Sequence, residues 1–220
     1  MPQQPVHVEI ITFAHGNFES AMGDVKELLR HHDTETNRRP GRPSSRLEVL
    51  KRAAIIMSIT AWESFIEDTI RACATSRLED ARCPADVGKW FNSVARRWLE
   101  RKPKPPDLGT WAGAGWKTML RDQLEDDLRS LNTPDSKNVA NLSVRYLGVD
   151  ITTKWHWGRT TSTVAAKQLD GLIRLRGQVA HRSRDVFTRG VAMRRNQALQ
   201  SISLVTHLVR CTELALGTTR

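Results

Sequence analysis

The stretch SRLEVLKRAAIIMSITAWESFIEDTIRACATSRL, from Ser45 to Leu78, decides the fold of this chain of 220 residues. Its apolar residues recur every three or four positions, the repeat of one helix face, and it contains neither glycine nor proline. Ser45 and Glu48 have the spacing of a capping box, in which the two side chains satisfy free backbone N–H groups at a helix start. The stretch therefore predicts one long helix as the main structural element.

The rest of the chain shows the same repeat in shorter segments. Helices are predicted over about 17–30, 86–101, 116–131, 136–147 and 161–179, and from about 185 or 189 to 216. Proline and glycine separate these segments, and no alternating pattern of sheet size is present. The sequence therefore predicts an all-α fold, a single-domain bundle of six or seven helices.

The predicted organisation has two parts. Residues 1–44 form an N-terminal arm, a first helix and a loop, and residues 45–217 form the main helical domain. Within that domain, a tryptophan-rich region at about 84–132, with a proline-rich connector at 102–109, reads as an insertion.

The charge of the chain favours a polyanionic partner. Lys and Arg number 34 against 24 Asp and Glu, a formal net charge of +10, although a basic surface can also serve solubility alone. No apolar run reaches the roughly 18 residues that span a bilayer, and the first residues lack the layout of a secretory signal. The three cysteines form neither a disulfide framework nor a zinc motif. The predicted location is the cytoplasm, without membrane contact.

Several enzyme classes have no support in the sequence. It contains no glycine-rich phosphate loop, no G-x-S-x-G motif and no H-E-x-x-H motif. His31, His32 and Asp33 are adjacent, but neighbouring side chains on a helix point apart and no acidic cluster completes a metal site. We therefore expect no metal and no cofactor.

The segment 172–184 concentrates the chemistry. Arg174, Arg176, Arg182, Arg184 and His181 alternate there with apolar residues of a packed helix. Desolvated guanidinium groups need a partner or a ligand, and clustered arginines beside a histidine suit a phosphodiester. The segment predicts a phosphate-binding or catalytic site.

The spacing of Arg176 and His181 sets a condition on that site. Five residues correspond to a net rotation of about 140° on an ideal helix, so the two side chains do not share a face. They converge only if the helix ends or bends between them, which Gly177 would ease, or if a symmetric partner contributes its own copy. The alternative is a helix C-terminus whose basic side chains complement the helix dipole.

Two further motifs have alternative interpretations. Glu63 and Glu67 share a face of the long helix; such pairs usually face solvent, but these could hold Arg176 or Arg174 across a helix interface. The run Trp155-His-Trp157 is either a platform on which unpaired bases stack or, more often for such a loop, a plug at the edge of the core.

Three segments, taken in chain order, resemble the HEPN superfamily, most closely its RiboL-PSP-type domains. Leu175-Arg-Gly-Gln-Val-Ala-His181 resembles the R-x4-6-H motif, in which a helix ends in a run such as Leu-Arg-Asn-x-Ile-Ala-His. Ala61-Trp-Glu-Ser-Phe-Ile-Glu67 looks like the aromatic and acidic helix of the family, and 133–151 looks like its helix ending in Leu-Gly before the motif. The resemblance spans about residues 45–215.

The resemblance implies a homodimer in which the Arg and His of both chains lie near the two-fold axis, with metal-independent endoribonuclease activity. Arg176 and His181 would be the catalytic residues, and Arg174, Arg182 and Arg184 would bind RNA phosphates. Glu63 and Glu67 would be supporting residues. RNA is the expected substrate of a toxin or defence effector, and an antitoxin or another defence-system protein is the expected partner.

Two other functions stay open at this point. Gly177 stands where the family commonly has Asn, which favours a non-catalytic HEPN-fold module that binds nucleic acid or a nucleotide, or assembles with a partner. An all-α DNA-binding regulator is the third interpretation, although the sequence shows no compact helix-turn-helix.

Overall fold

The protein is described here by a computed structural model covering residues 7–38, 45–100, 108–131, 133–181 and 194–217. These residues form the helices α1 (His7–Arg38), α2 (Ser45–Asp80), α3 (Pro84–Val87), α4 (Lys89–Leu99), α5 (Gly115–Arg129), α6 (Ser136–Leu142), α7 (Ser162–His181) and α8 (Arg195–Ala215). Short 3-10 turns cover Leu108–Trp111 and Ile151–Lys154, and a π turn covers Ser143–Leu147. Over these ranges there is no β-strand, only an isolated bridge between Trp157 and Thr160. The predicted all-α fold is confirmed.

The described residues contain eight α-helices, more than the six or seven predicted, because the predicted helix at 86–101 is broken. Gly88 adopts φ 44°, a left-handed value that few side chains tolerate, and it separates α3 from α4. The apolar repeat continues across this break, so the repeat alone predicted a single helix.

Helix α2 is the centre of the bundle. Trp62, Ile66 and Ile70 are fully buried, and α2 packs against α1, α5, α7 and α8. The indole Nε1 of Trp62 donates a hydrogen bond to the carbonyl oxygen of Pro134 at 3.1 Å, so this tryptophan is satisfied inside the core. Each such large apolar side chain stabilises the fold by about 1.5–3 kcal/mol.

Helix α1 is much longer than the predicted 17–30 and packs along α2. Phe18 meets Phe65 edge to face at 5.9 Å, and Asn17 donates a hydrogen bond to Asp68. The buried face of α1 belongs to the same hydrophobic core as α2; its members are Ala14, Phe18, Met22, Val25 and Leu29. α1 is therefore a layer of the bundle, while the division between residues 1–44 and 45–217 stays a prediction.

A cluster of aromatic rings and an ionic network hold the tryptophan-rich region. Phe91 and Trp98 both pack edge to face on Trp111, at 5.3 Å. Nearby, the carboxylate of Asp127 accepts hydrogen bonds from the Tyr146 hydroxyl at 2.6 Å and from Arg145. This network ties α5 to the π turn behind α6.

The segment that leads into α7 follows the predicted turn signals. Asp135 caps α6 by accepting a hydrogen bond from the backbone N–H of Asn138 at 2.8 Å. The helical run ends at Gly148, whose φ of 78° places it in the left-handed region. Side chains rarely adopt this conformation, so the turn suits glycine.

None of the helices in the described part of the chain is both long enough and apolar enough to cross a membrane.

Candidate active site

Helix α7 presents the arginines of the predicted site. Its N-terminus is fixed by Thr161, whose hydroxyl oxygen accepts a hydrogen bond from the N–H of Val164 and whose carbonyl accepts one from Ala165. Ala165, Leu169 and Leu172 lie buried in the core. This anchoring orients the following turns of α7, where the arginines lie.

Arg176 points toward α2 and forms an ion pair with Glu63. Nη1 of Arg176 lies 3.1 Å from Oε2 of Glu63, and the two side chains are 31% and 15% exposed. Glu63 is the one hydrogen-bond partner of Arg176 among the described residues. This contact uses a single guanidinium nitrogen, and within the described part of the chain the other N–H donors of the fork have no partner, so they could bind a phosphate.

Burial and the neighbouring Arg176 shift the pKa of Glu63 in opposite directions. Burial raises the pKa of Glu63, and the charge and hydrogen bond of Arg176 oppose this effect without cancelling it, so the pKa lies above its usual value. Glu63 is thus an acid whose ionised form is costly at this position and is supported by Arg176. For Glu63 and Glu67 the usual alternative was a pair of acids that face solvent. The side chain of Glu63 is instead only 15% exposed and contacts Arg176.

Glu67 lies one turn further along α2 and has a different environment. Burial first, and then the neighbouring charge of Glu63, raise the pKa of Glu67. Within the described ranges its carboxylate makes neither a hydrogen bond nor an ion pair with Arg176 or Arg174. The charge of Arg71, whose guanidinium binds Asp68 and Glu125, acts in the opposite direction and lowers the pKa of Glu67.

Arg174 lies on another side of α7. Two residues correspond to about 200° of rotation, so Arg174 and Arg176 face different directions. The side chain of Arg174 is exposed, and its Nη2 lies 3.8 Å from the position that a Cβ on Gly171 would take. The structure therefore does not bring the two arginines together within one chain.

His181 is the last residue of α7, which runs without interruption through Arg176 and Gly177. The backbone therefore keeps the rotation of about 140° between Arg176 and His181. The side chain of His181, and Arg182 and Arg184 entirely, lie outside the described residues. A Cβ on Gly177 would meet nothing within 4 Å, so the Cβ of the Asn common in the family motif is accommodated there.

The two tryptophans of the Trp155-His-Trp157 run have different roles. Trp155 is fully buried: its indole N–H donates to the hydroxyl of Thr212 at 3.0 Å, and its ring packs on Trp62. Trp157 is partly exposed and stacks on His207 of α8, with ring centroids 4.9 Å apart. The core interpretation thus holds for Trp155, whereas Trp157 stays accessible.

The histidines near the end of α1 serve packing and ion pairing. Asp33 accepts two hydrogen bonds from Arg195, at 2.6 and 2.7 Å, which joins α1 to α8. His32 is buried beside it. In the part of the chain that the structure describes, no group of three or more His, Cys, Asp or Glu side chains could hold a metal ion.

Sequence reasoning missed a cavity of about 460 Å³ between α7 and α8, whose lining includes Trp157. Leu172 and Leu175 form part of its floor, and Gln200 and His207 lie on the α8 side. Its only advance signal was the aromatic run at 155–157, because the approach of α7 to α8 is not encoded in either helix alone.

Comparison with known proteins identifies the family. Residues 20–217 match the RiboL-PSP-HEPN family, a range that begins within α1 and includes α2 to α8. No curated protein and no solved structure matches the chain. The matched range contains the Arg176 to His181 motif and the Glu63 that pairs with its arginine. This chain therefore belongs to the RiboL-PSP-HEPN family of the HEPN superfamily.

Proposed function

We propose that this protein is a metal-independent endoribonuclease that cleaves RNA through attack of the 2′-hydroxyl. The family suggests RNA cleavage or nucleotide binding, and the observation that favours cleavage is the Glu63–Arg176 pair. The pair fixes an arginine, whose other donors make no hydrogen bond with the described residues, five residues before a histidine at the end of the same helix. A site that only binds phosphate has less need of a carboxylate beside its arginine, because that carboxylate weakens attraction for anions.

The chemistry requires one acid–base group and one cation. The 2′-oxygen bonds to phosphorus while the bond from phosphorus to the 5′-oxygen breaks, giving a 2′,3′-cyclic phosphate and a 5′-hydroxyl. His181 takes the 2′-hydroxyl proton or protonates the leaving 5′-oxygen, a role that suits a histidine near neutral pH, and water carries out the other proton transfer. Arg176 stabilises the added negative charge on the phosphoryl oxygens. DNA lacks the 2′-hydroxyl and is not cleaved.

A homodimer would bring the two groups together. Because α7 is continuous, Arg176 and His181 of one chain face different sides of it. A second copy across a two-fold axis supplies the missing group to each site. Arg174, Arg182 and Arg184 then contact neighbouring phosphates, which position RNA without selecting its sequence. The chain acts as a toxin or defence effector on cellular RNA, with an antitoxin or another defence-system protein as its partner.

The test is RNA cleavage in the presence of EDTA by wild type, Arg176→Ala and His181→Ala, with Arg121→Ala as the control for an exposed arginine on α5. We expect cleavage by wild type and the control, and loss in the two motif variants. Retained cleavage in both motif variants contradicts the site, and loss of wild-type cleavage with EDTA alone contradicts a metal-independent reaction.

The second candidate is a non-catalytic module that binds nucleic acid or a nucleotide. Gly177 favours it, because a polar side chain beside the arginine is missing from the motif. Under this alternative, wild type binds RNA with a steep dependence on salt, and no cleaved product forms. The variant Gly177→Asn then serves as a direct test, since its side chain has space.

A further inference from the structure

The cavity between α7 and α8 has the properties of a base-binding site. Its volume is about 460 Å³, within the range of small-ligand pockets. One wall is the stacked pair of Trp157 and His207, whose rings are inclined by only 18°. The floor includes Leu172, Leu175 and Leu204. A flat aromatic wall over an aliphatic floor suits a planar, uncharged ring.

The polar groups of the cavity are amides and hydroxyls. Gln168, Gln197 and Gln200 line it, and none of its described lining residues is Asp, Glu, Lys or Arg. Carboxamides pair with the edge of adenine, which presents a donor beside an acceptor, whereas guanine is usually read by Arg or Lys and cytosine by Asp or Glu. The lining therefore favours adenine among the four bases.

His207 holds the aromatic wall in place. Its Nδ1 lies 2.7 Å from the carbonyl oxygen of Ser203, so the ring donates its Nδ1 hydrogen there. Because the ring is also stacked on Trp157, it supports the wall and does not hydrogen-bond to the edge of a base stacked on it.

The surroundings of the cavity suit a phosphate backbone. Arg174 is exposed beside Gly171, which lines the cavity, and Leu175 on the floor directly precedes Arg176. A rotation of about 100° separates these two positions, so a base in the cavity and a phosphate at Arg176 lie on adjoining sides of α7.

We propose that this cavity binds an unpaired adenine of the RNA, stacked on the face of Trp157 that His207 does not cover and read by the carboxamides of Gln168 and Gln200. This inference rests on the proposed function, which makes RNA the substrate. The cavity gives the enzyme a base preference that phosphate contacts cannot supply.

The experiment measures binding of 2′-O-methyl hexamers, which cannot be cleaved because the attacking hydroxyl is blocked. One hexamer is all uridine, and the others replace one central uridine with adenosine, guanosine, cytidine or an abasic residue. We expect the adenosine hexamer to bind about 5- to 150-fold more tightly than the abasic one, the range for one stacked base. The all-uridine, guanosine and cytidine hexamers should bind less tightly than the adenosine hexamer, because their bases can stack but lack the edge that the carboxamides read.

Variants of residues that line the cavity test whether the adenosine preference arises there. Trp157→Ala should abolish the adenosine preference and Trp157→Phe should restore part of it. Gly171→Leu should also abolish it, because Gly171 lines the cavity and a Cβ there meets only Arg174, at 3.8 Å, so the larger side chain can occupy the space of the base. Gly23→Leu is the matched control, since Gly23 is an exposed helical glycine with nothing within 4 Å. Thermal unfolding of each variant shows that it is folded.

Two outcomes overturn the proposal: equal affinity for all hexamers, or an adenosine preference that persists in both Trp157→Ala and Gly171→Leu. Cleavage of unmodified RNA, measured in parallel, separates this proposal from the proposed function. Cleavage that depends on His181 but not on adenosine supports the proposed function and contradicts the base site. An adenosine preference without any cleavage supports the base site and contradicts the proposed function.

Discussion

Replacing Glu63 with Gln should slow RNA cleavage without unfolding the protein. Gln keeps the size of the side chain and an oxygen that can accept from Nη1 of Arg176, now at 3.1 Å, but removes the negative charge. The guanidinium is then held less firmly in the orientation that leaves its other donors for the phosphate. Glu63 is a positioning residue in this scheme, because it acts through Arg176.

The size of the effect follows from the kind of hydrogen bond that is lost. Bonds to charged groups contribute about 1.5–3 kcal/mol and neutral ones about 0.5–1.5 kcal/mol; because the guanidinium stays charged in the variant, the difference of about 1–1.5 kcal/mol is an upper limit for the lost stabilisation of its orientation. This upper limit corresponds to about a 5- to 13-fold loss in rate. Because Arg176 is 31% exposed and partly screened by water, we expect the lower end of this range.

Glu67→Gln is the matched control. Both glutamates lie on the same face of α2 and both have a raised pKa with burial as the main cause, but only Glu63 contacts Arg176. Single-turnover cleavage at pH 7 should therefore fall in Glu63→Gln and change less than about two-fold in Glu67→Gln, below about 0.4 kcal/mol. Equal losses in the two variants, or no loss in Glu63→Gln, would refute the positioning role.

The pH dependence gives a second readout. The folded pKa of Glu63 lies above its ordinary value, so wild-type Glu63 becomes protonated, and similar to Gln, at a higher pH than a free glutamate does. The ratio of wild-type to Glu63→Gln rates should thus fall toward one as the pH falls through that pKa. The ionised form also costs stability at neutral pH, a cost that disappears below the unfolded value of about 4.3. Glu67→Gln should accordingly unfold no earlier than wild type at pH 7.

Three further changes test the fold. Asp127→Asn should cost about 2 kcal/mol and lower Tm by roughly 4–8 °C, because Tyr146 and Arg145 lose their charged acceptor. Burial alone would raise the pKa of Asp127, but hydrogen bonds and nearby arginines lower it below its usual value. The stability that the Asp127 carboxylate contributes is therefore present above the unfolded pKa of about 3.9 and is lost as the pH falls through the folded pKa. An acid-unfolding midpoint that is the same in Asp127→Asn and wild type would contradict this contribution. Trp155→Ala should cost about 3–5 kcal/mol in urea unfolding, since the ring is fully buried, and a loss below 1 kcal/mol would disprove that burial. Gly177→Ala should raise Tm by roughly 1–4 °C, because an alanine there meets nothing within 4 Å and stabilises a helix by about 0.5–1 kcal/mol; a lower Tm would show a contact at this position.

Local signals predicted most of the helices. The capping-box spacing placed the start of the long helix at Ser45, where α2 begins, and Gly148 ends the run after α6 as its left-handed conformation requires. Helix capping and left-handed turns depend on residues only a few positions apart, so the sequence alone can predict them. The break at Gly88 was missed because an apolar repeat can continue across a kink in the backbone.

The sequence predicted which residues belong to the candidate site, but not which of them contact each other. The motif from Arg176 to His181 indicated the family, which the match over residues 20–217 shows. The proximity of Glu63 and Glu67 along the sequence gave no reason to prefer one over the other as the partner of Arg176. Their roles differ only because of the rotation of α2 against α7.

The sequence by itself determined the helical class, most helix boundaries and the family, because these depend on local periodicity, turn residues and a short motif. Only the tertiary structure decided that Glu63 faces Arg176 across 113 residues of chain, and that Trp155 is buried whereas Trp157 lines a cavity. The physical reason is that side chains on different helices meet according to how the helices approach and rotate against each other. That geometry is set by packing of the whole core around α2, and no single segment specifies it.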